Sequence, residues 1–303
     1  MVSPQLEEYR AKARKYREKL RAAGDPVPAT AEDFRKADQF MDLLTGEPHG
    51  VDYAEGEVGG VAGLWVTPHQ AAPSGALLYL HGGGYVMGSS STHRKMVGHL
   101  ATAAGVRAFI PDYRLAPEHP YPAAVEDGVA VFRGLLAEGN RPERILMGGD
   151  SAGGGLALAV TLALRNDGRP TPRALLLLSP WTDLAFTGPS LQGNAESDLT
   201  MTLAAARKMA EYYCGRSKPR APLVSPLYAD LRGLPPTYIQ VGGDEMLLDD
   251  AVRIDERLRA ARVDSRIDIA PGMQHVFQFG AGTIPEADEA VERLGSFARQ
   301  QLG

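Results

Sequence analysis

Short, almost wholly apolar runs alternate with amphipathic stretches along the chain from about residue 50. The strand-like runs span Val61–Val66, Ala76–Leu80, Val106–Ile110, Arg144–Met147, Ala174–Leu178, Thr237–Val241 and Arg266–Ile269. The helix-like stretches span Thr92–Ala104, Ala123–Leu136, Ser151–Arg165, Leu248–Ala261 and Ala287–Gln301. Unbroken apolar runs are typical of parallel strands that are covered on both faces. The alternation therefore predicts an α/β fold with a doubly wound, mostly parallel sheet.

Two charged helices are predicted before the sheet, and one later segment interrupts the alternation of strands and helices. Apolar side chains at helical spacing mark these helices, and we expect these side chains to pack against the rest of the protein. They are Leu6, Tyr9, Ala13, Tyr16 and Leu20 in the first helix and Phe34, Ala37, Met41 and Leu44 in the second. The polar stretch from about Leu184 to Pro222 contains a helix near Thr202–Tyr213, and we interpret it as an insertion.

Glycines surround a single serine where a predicted strand meets a predicted helix. Residues Gly149 to Gly153 read G-x-S-x-G around Ser151, the pattern of a nucleophile elbow, in which a sharp turn exposes the hydroxyl. The dinucleotide fingerprint G-x-G-x-x-G fails because Asp150 stands where its second glycine would be. A purely structural tight turn stays open on this motif alone.

A second glycine cluster follows an earlier apolar run. His81 and the three glycines after it form an HGGG motif, which in esterases and lipases supplies part of the oxyanion hole. We expect the backbone amides of Gly83, Gly84 and Ala152 to be its donors, each contributing roughly 10²- to 10³-fold in rate. His81 is expected to hold this loop in shape through hydrogen bonds. The two clusters together indicate acyl-transfer chemistry.

A nucleophilic serine needs a general base and an acid that orients the base. In this type of fold the chain order is Ser, then Asp or Glu, then His. His275 follows the last strand-like run and occupies the slot of the base. Asp244 and Glu245 both stand directly after the run Thr237–Val241, so either residue fits the slot of the acid.

Composition and charge exclude several other classes of function. A net charge of −5 over 303 residues argues against a nucleic-acid partner. No apolar run approaches the roughly 20 residues of a membrane span. The single cysteine, Cys214, excludes an internal disulfide and favours a reducing compartment, so a cytoplasmic location is the default expectation. No H-E-x-x-H or similar metal signature occurs, and a serine mechanism needs neither a metal nor a cofactor.

In combination, these motifs resemble the hormone-sensitive-lipase family of esterases, in its bacterial branch. The shared segments are HGGGYVMGS, DYRLAPE at 112–118, YPAAVED at 121–127, GGDSAGG, LSPWTD at 178–183, SPL at 225–227 and the loop of His275. The resemblance covers nearly all of the chain from about residue 50 onward. The resemblance implies one α/β-hydrolase domain over residues 1–303, with a helical cap formed by about 1–45 and 184–222.

The chain departs from the family pattern at two positions. The family usually has Asp-Pro-Leu at the acid, and alignment on Pro235-Pro236 and on Arg257-Leu258 places the acid at Glu245 rather than Asp244. Val276 stands where the family commonly has glycine, and we expect it to narrow the pocket beside the base. The candidate pocket residues are Tyr85, Trp181, Met201, Tyr212, Val276 and Phe277.

The resemblance implies a serine carboxylesterase that hydrolyses small, short-acyl esters through an acyl-enzyme intermediate. It also raises the expectation of a homodimer formed through the edge strand near Arg266–Ile269. A lactone hydrolase or a deacetylase would use the same triad, and nothing in the sequence separates these activities. A non-catalytic small-molecule-binding member of the fold is the alternative from another class. The presence of Ser151, His275 and the HGGG motif argues against it.

Overall fold

The computed structural model describes residues 2–38, 43–72 and 75–303, and within these ranges eight strands form one sheet. In chain order the strands are β1 (Val51–Val58), β2 (Val61–Pro68), β3 (Ala76–Leu80), β4 (Arg107–Pro111), β5 (Ile145–Asp150), β6 (Ala174–Leu178), β7 (Thr237–Gly242) and β8 (Ser265–Ala270). Their spatial order is β1-β2-β4-β3-β5-β6-β7-β8. β2 pairs antiparallel with both β1 and β4, and all other neighbours are parallel. The predicted mostly parallel sheet is confirmed.

Helices cover both faces of the sheet. Those described are α1 (Pro4–Ala22), α2 (Ala31–Asp38), α3 (Ser90–Ala104), α4 (Ala123–Ala137), α5 (Ala152–Asn166), α6 (Ser190–Gly193), α7 (Leu203–Cys214), α8 (Leu248–Ala260) and α9 (Pro285–Leu302). Along β3, Leu78 and Leu80 enter the core shared with α4, α5 and α8, whereas Leu77 and Tyr79 enter the core shared with α3 and α9. Burial on both faces explains why β3 and β6 carry unbroken runs of apolar and aromatic residues. None of the described helices is long and apolar enough to cross a membrane.

Strand β1 is absent from the sequence-based prediction. It reads VDYAEGEV, and most of its side chains are half-buried or exposed because it is the outermost strand of the sheet. Its partner β2 follows after Gly59 and Gly60, whose φ angles of 61° and 81° suit a tight two-residue hairpin turn. The prediction failed here because an edge strand does not carry the apolar run that marks a central one.

The two N-terminal helices bury only part of their predicted stripes. Leu6 of α1 packs in a small core with Met273, and Phe34 of α2 joins the larger core. Tyr16 is 62% exposed and Leu44 is 38% exposed, so the expectation that both side chains pack is wrong. The predicted stripe position Met41 lies outside the described residues. Helical spacing identifies a face of a helix but not how much of that face finds a partner.

A pair of buried carboxylates joins the start of the inserted segment to α8. The backbone N–H groups of Thr182 and Asp183 both donate to Oδ2 of Asp250, at 2.8 and 2.7 Å. Burial raises the pKa of Asp250 from 3.8 to about 8. Burial also acts to raise the pKa of Asp183, but hydrogen bonds, the strongest of them from Thr187, outweigh it and hold that pKa below its usual value. The pKa values of the two neighbouring acids are therefore shifted in opposite directions.

We expect Asp250→Asn to raise the thermal unfolding temperature at pH 8. Because folding raises the pKa of Asp250, the wild type loses stability as the pH rises from about 4 through about 8. Asparagine is uncharged, and its one oxygen can accept both N–H groups that now meet at Oδ2. Thermal melts from pH 4 to pH 8 should show a gain that is largest at pH 8 and small at pH 4.

The matched control is Asp183→Asn, which should lower the unfolding temperature at pH 8. Asp183 has a lowered pKa, so its charge stabilises the fold above its unfolded-state pKa. A gain for Asp250→Asn that did not vary with pH would contradict the assignment of a raised pKa to Asp250.

Candidate active site

Ser151 lies in a strained turn between β5 and α5. Its φ and ψ are 51° and −121°, a conformation that costs a residue with a side chain about 1–3 kcal/mol. Three backbone hydrogen bonds hold it there: its N–H donates to the carbonyl of Leu178 at 2.8 Å, and its carbonyl accepts from the N–H groups of Trp181 at 2.8 Å and Gly155 at 3.1 Å. The end of β6 and the loop after it therefore impose the geometry of the serine.

The turn requires glycine on both sides of Ser151. A Cβ on Gly153 would lie 2.0 Å from the carbonyl oxygen of Leu80, and a Cβ on Gly149 would lie 2.4 Å from the carbonyl oxygen of Gly153. Both distances are far below a normal contact and both involve backbone atoms, which cannot rotate away. The spacing of the G-x-S-x-G motif thus follows from how closely the turn approaches the end of β3.

Ser151, His275 and Glu245 form a connected chain. Oγ of Ser151 lies 2.9 Å from Nε2 of His275, and Nδ1 of the same ring lies 3.4 Å from Oε1 of Glu245. The second distance is long for a hydrogen bond. Burial lowers the pKa of His275 most strongly, but the Glu245, Asp198 and Asp150 carboxylates outweigh it, and the net shift is upward.

Of the two candidate acids, Glu245 contacts the histidine. Its side chain is fully buried, and its Oε2 accepts from Oγ of Ser179 at 2.7 Å and from the N–H of Gly242 at 3.2 Å. Asp244 instead lines a cavity of about 240 Å³ beside α1, together with Gln274 and several arginines. Asp244 and Glu245 are neighbours in the chain, but the Glu245 carboxylate contacts the imidazole ring whereas Asp244 lines a separate cavity.

Ser179 is part of the site although the sequence analysis assigned it no role. Its hydroxyl donates to Glu245, and the same oxygen accepts from the N–H of Val276 at 3.1 Å. Ser179 thereby joins the carboxylate to the residue after His275. The available signal was its position at the end of β6 within the LSPWTD motif.

A buried polar network supports the HGGG loop. The N–H of Gly82 donates to Oδ1 of Asp150 at 3.0 Å, and the Tyr79 hydroxyl donates to the same oxygen at 2.9 Å. The His81 ring stacks on Tyr113 at 4.2 Å between centroids, and its Nδ1 lies 2.8 Å from the carbonyl of Gly82. Burial, with a contribution from a neighbouring histidine, lowers the pKa of His81 to about 3, so the ring is neutral. His81 is buried, and its contacts with Gly82 and Tyr113 support the loop.

The next two glycines of this loop turn the backbone into the left-handed region. Gly83 and Gly84 have φ angles of 107° and 61°. Within the ranges that the structure describes, the amides of Gly83, Gly84 and Ala152 have no hydrogen-bond acceptor in the protein. The same loop bonds Asp150, the residue before Ser151, through Gly82, and unpaired backbone amides are the type of donor that an oxyanion hole needs.

The six candidate pocket residues have different surroundings. Tyr85 stacks on Tyr213 at 3.6 Å between centroids, and Trp181 lies 6.3 Å from the Tyr85 ring. Val276 and Phe277 are buried, Met201 is half-buried, and the half-buried Tyr212 directs its hydroxyl to the carbonyl of Ala29 at 3.4 Å. Tyr85 and Trp181 are thus brought together, whereas Tyr212 makes its polar contact with the segment between α1 and α2.

A serine in a strand-to-helix turn, linked through histidine to a buried carboxylate, defines a serine hydrolase of the α/β-hydrolase type. Comparison with known proteins agrees with this class. The family described as alpha/beta hydrolase fold matches residues 77–279. The acetyl-hydrolase of Streptomyces hygroscopicus is 43% identical over 247 residues, which cover 81% of this chain and 82% of that protein. The esterase of Acinetobacter venetianus is 38% identical over 230 residues, which cover 76% of each chain.

A solved structure extends the similarity to the whole chain. The crystal structure of an esterase from the bacterial hormone-sensitive lipase family has a TM-score of 0.93 and 44% sequence identity, and the match covers 100% of both chains. The chain therefore belongs to the hormone-sensitive-lipase family of the α/β-hydrolase fold, and it is a carboxylic ester hydrolase.

Matched substitutions of the two candidate acids should have very different effects on kcat. Glu245→Gln replaces the carboxylate next to Nδ1 of His275 and favours the wrong tautomer, so we expect kcat to fall on the order of 10⁴-fold. Asp244→Asn changes a residue that lines a separate cavity and should leave kcat within a few-fold of the wild type. Steady-state hydrolysis of an ester at pH 8 measures both. Equal losses, or a larger loss for Asp244→Asn, would overturn the distinction.

Proposed function

We propose that this chain hydrolyses small, short-acyl carboxylic esters through a covalent intermediate on Ser151. The observation that carries the proposal is the 2.9 Å contact between Oγ of Ser151 and Nε2 of His275 in the strained turn. A hydroxyl at this distance can transfer its proton to the imidazole as it attacks a carbonyl carbon. Ser151 is therefore the nucleophile, His275 the general base, and Glu245 the group that orients the base.

In the first half-reaction, Oγ of Ser151 bonds to the ester carbonyl carbon while its proton passes to Nε2 of His275. The carbonyl oxygen becomes an oxyanion and accepts hydrogen bonds from the amides of Gly83, Gly84 and Ala152. The intermediate then collapses, the bond to the alcohol oxygen breaks, and His275 gives its proton to the departing alcohol. The acyl group remains on the serine.

In the second half-reaction, water attacks the acyl carbon and passes a proton to His275. The bond from carbon to Oγ of Ser151 breaks, the serine recovers its proton, and the carboxylic acid leaves. The Glu245 side chain stabilises the imidazolium that forms in each half-reaction. The raised pKa of His275 suits a base that must hold a proton transiently.

We also propose that α1, α2 and the segment 184–222 form a cap over the site. Three contacts between these regions support it: Arg21 donates to the carbonyl of Glu196 at 3.1 Å, Tyr212 contacts Ala29, and Arg35 donates to the carbonyl of Val86 in the HGGG loop at 2.9 Å. These bonds join the N-terminal helices both to the insertion and to the loop that carries the proposed oxyanion donors.

The preference for a short acyl group rests on how tightly α7 packs over the HGGG loop. A Cβ on Gly84 would lie only 2.2 Å from Sδ of Met209 in α7. The stack of Tyr85 on Tyr213, also in α7, fills the adjacent space. A long acyl chain would have to displace these side chains. The relative from Streptomyces is named an acetyl-hydrolase, which agrees with a short acyl group.

Hydrolysis of p-nitrophenyl esters from acetate to palmitate tests the proposal directly. We expect kcat/KM to be highest for acetate or butyrate and to fall as the acyl chain lengthens. Ser151→Ala should lose activity on the order of 10⁶-fold because the nucleophile is absent. Ser296→Ala, in α9, is the matched serine control and should retain wild-type rates.

Two results would contradict the proposal. A preference for palmitate would refute the short-acyl assignment. A folded wild type that hydrolysed no ester, or that lost nothing in Ser151→Ala, would instead favour a non-catalytic binding protein.

We further propose that the chain forms a homodimer through β8. In the part of the chain that the structure describes, this strand is one of the two edges of the sheet and pairs with β7 alone, and Ile269 on it is 47% exposed. An unpaired edge with an exposed apolar side chain is a ready surface for a second copy.

Sedimentation velocity should show a dimer for the wild type and a monomer for Ile269→Lys, because a lysine there would have to be buried. A monomeric wild type at micromolar concentration would refute this assembly.

A further inference from the structure

Residues 194–201, the bridging segment, contact both loops that carry the partners of Ser151. On one side, Nδ2 of Asn194 donates to the backbone carbonyl of Glu245 at 2.9 Å. On the other side, the N–H of Leu199 donates to Oε1 of Gln274, the residue before the base, at 2.7 Å. One short stretch of the insertion therefore holds the acid and the base relative to each other.

Asp198 lies at the centre of this segment and is fully buried. Its Oδ1 accepts from the N–H of Thr200 at 2.9 Å, the hydroxyl of Thr200 at 2.8 Å and the N–H of Met201 at 2.9 Å. Its Oδ2 accepts from the N–H of Met246 at 2.9 Å. These four donors satisfy the hydrogen-bonding capacity of a carboxylate in a buried position. Since Met246 follows Glu245 directly, this last bond fixes the backbone beside the acid.

The carboxylate of Asp198 also acts on His275 through space. Burial is the largest single influence on the pKa of His275 and lowers it, but the negative charges of Glu245, Asp198 and Asp150 outweigh burial and raise it. The charge of Asp198 also contributes, after burial, to the raised pKa of Tyr9 in α1. Asp198 is therefore a buried negative charge beside the base that is not part of the triad.

We propose that Asp198 is a positioning residue for the ester hydrolysis proposed above, holding the Glu245 loop through Met246 and stabilising the imidazolium form of His275. The inference rests on the proposed function and adds a second buried carboxylate to it. Glu245 contacts the imidazole ring itself, whereas Asp198 acts through the backbone and through its charge.

The test is the pH profile of kcat/KM for p-nitrophenyl acetate in Asp198→Asn. His275 must be neutral to accept the proton, so activity falls as the pH drops through the pKa of His275, which lies above the ordinary value near 6.5. Removing the charge of Asp198 lowers that pKa, so the acidic limb should move to lower pH. Loosening of the Glu245 loop should lower kcat by roughly ten- to a hundredfold, with little change in KM.

Two further variants separate positioning from general destabilisation. Asp198→Glu keeps the charge but displaces the carboxylate by one methylene, so the acidic limb should stay near that of the wild type while kcat falls. Asp255→Asn is the matched control: this buried carboxylate in α8 accepts from Oγ of Ser265 at 2.6 Å and is not among the main charges that raise the pKa of His275, so the acidic limb should not move.

An acidic limb for Asp198→Asn at the wild-type position, or an equal displacement in Asp255→Asn, would overturn the inference. If Asp198→Asn does not fold, Asp198→Glu decides alone: wild-type kcat would refute the positioning role, and reduced kcat with an unmoved limb would support it. Loss of ester hydrolysis in Ser151→Ala, measured on the same substrate, tests the proposed function independently.

Discussion

The backbone conformation of Ser151 is the constraint on which the site depends. Its φ of 51° is unfavourable for a residue with a side chain, and it persists because neighbouring strands hold it. The carbonyl of Leu178 accepts from its N–H, and the carbonyl of Leu80 closes the space beside Gly153. β3 and β6 flank β5 in the sheet. The alignment of these three parallel strands therefore fixes the orientation of the Ser151 hydroxyl.

Buried carboxylates surround this turn, and each is satisfied by donors from a different part of the chain. Asp150 supports the HGGG loop, Glu245 lies beside the His275 ring, and Asp198 joins the segment 194–201 to the loop of Glu245. Hydrogen bonds offset the free-energy cost of burying these carboxylates, because an unpaired charge in a low-dielectric interior is strongly destabilising. Their combined field raises the pKa of His275 against the effect of its own burial. The raised pKa of His275 therefore depends on carboxylates from several parts of the chain.

The chain outside the sheet contributes to the site as much as the sheet does. The segment 184–222 supplies Asn194 and Asp198, which bond to the loop of Glu245. Helix α1 supplies Arg10, whose Nη2 donates to the carbonyl of Gly272 at 2.6 Å in the loop of His275. The strands present Ser151, whereas Glu245 lies between β7 and α8 and His275 lies after β8, on loops that receive these bonds. Residues from distant parts of the chain provide them.

The sequence by itself determined the features that depend on local backbone chemistry. Glycine spacing around Ser151 identified the turn, and unbroken apolar runs identified the central strands, because both signals act within a few residues. The edge strand β1 and the exposure of Tyr16 escaped prediction, since each depends on which neighbours pack nearby. Asp244 and Glu245 fitted the acid equally until family resemblance favoured one, and only the fold shows which side chain meets the ring. Asp198 and Ser179 carry no local signal for their contacts with the acid loop and the acid, because 48 and 66 residues separate them from Met246 and Glu245, and only tertiary packing brings such groups together.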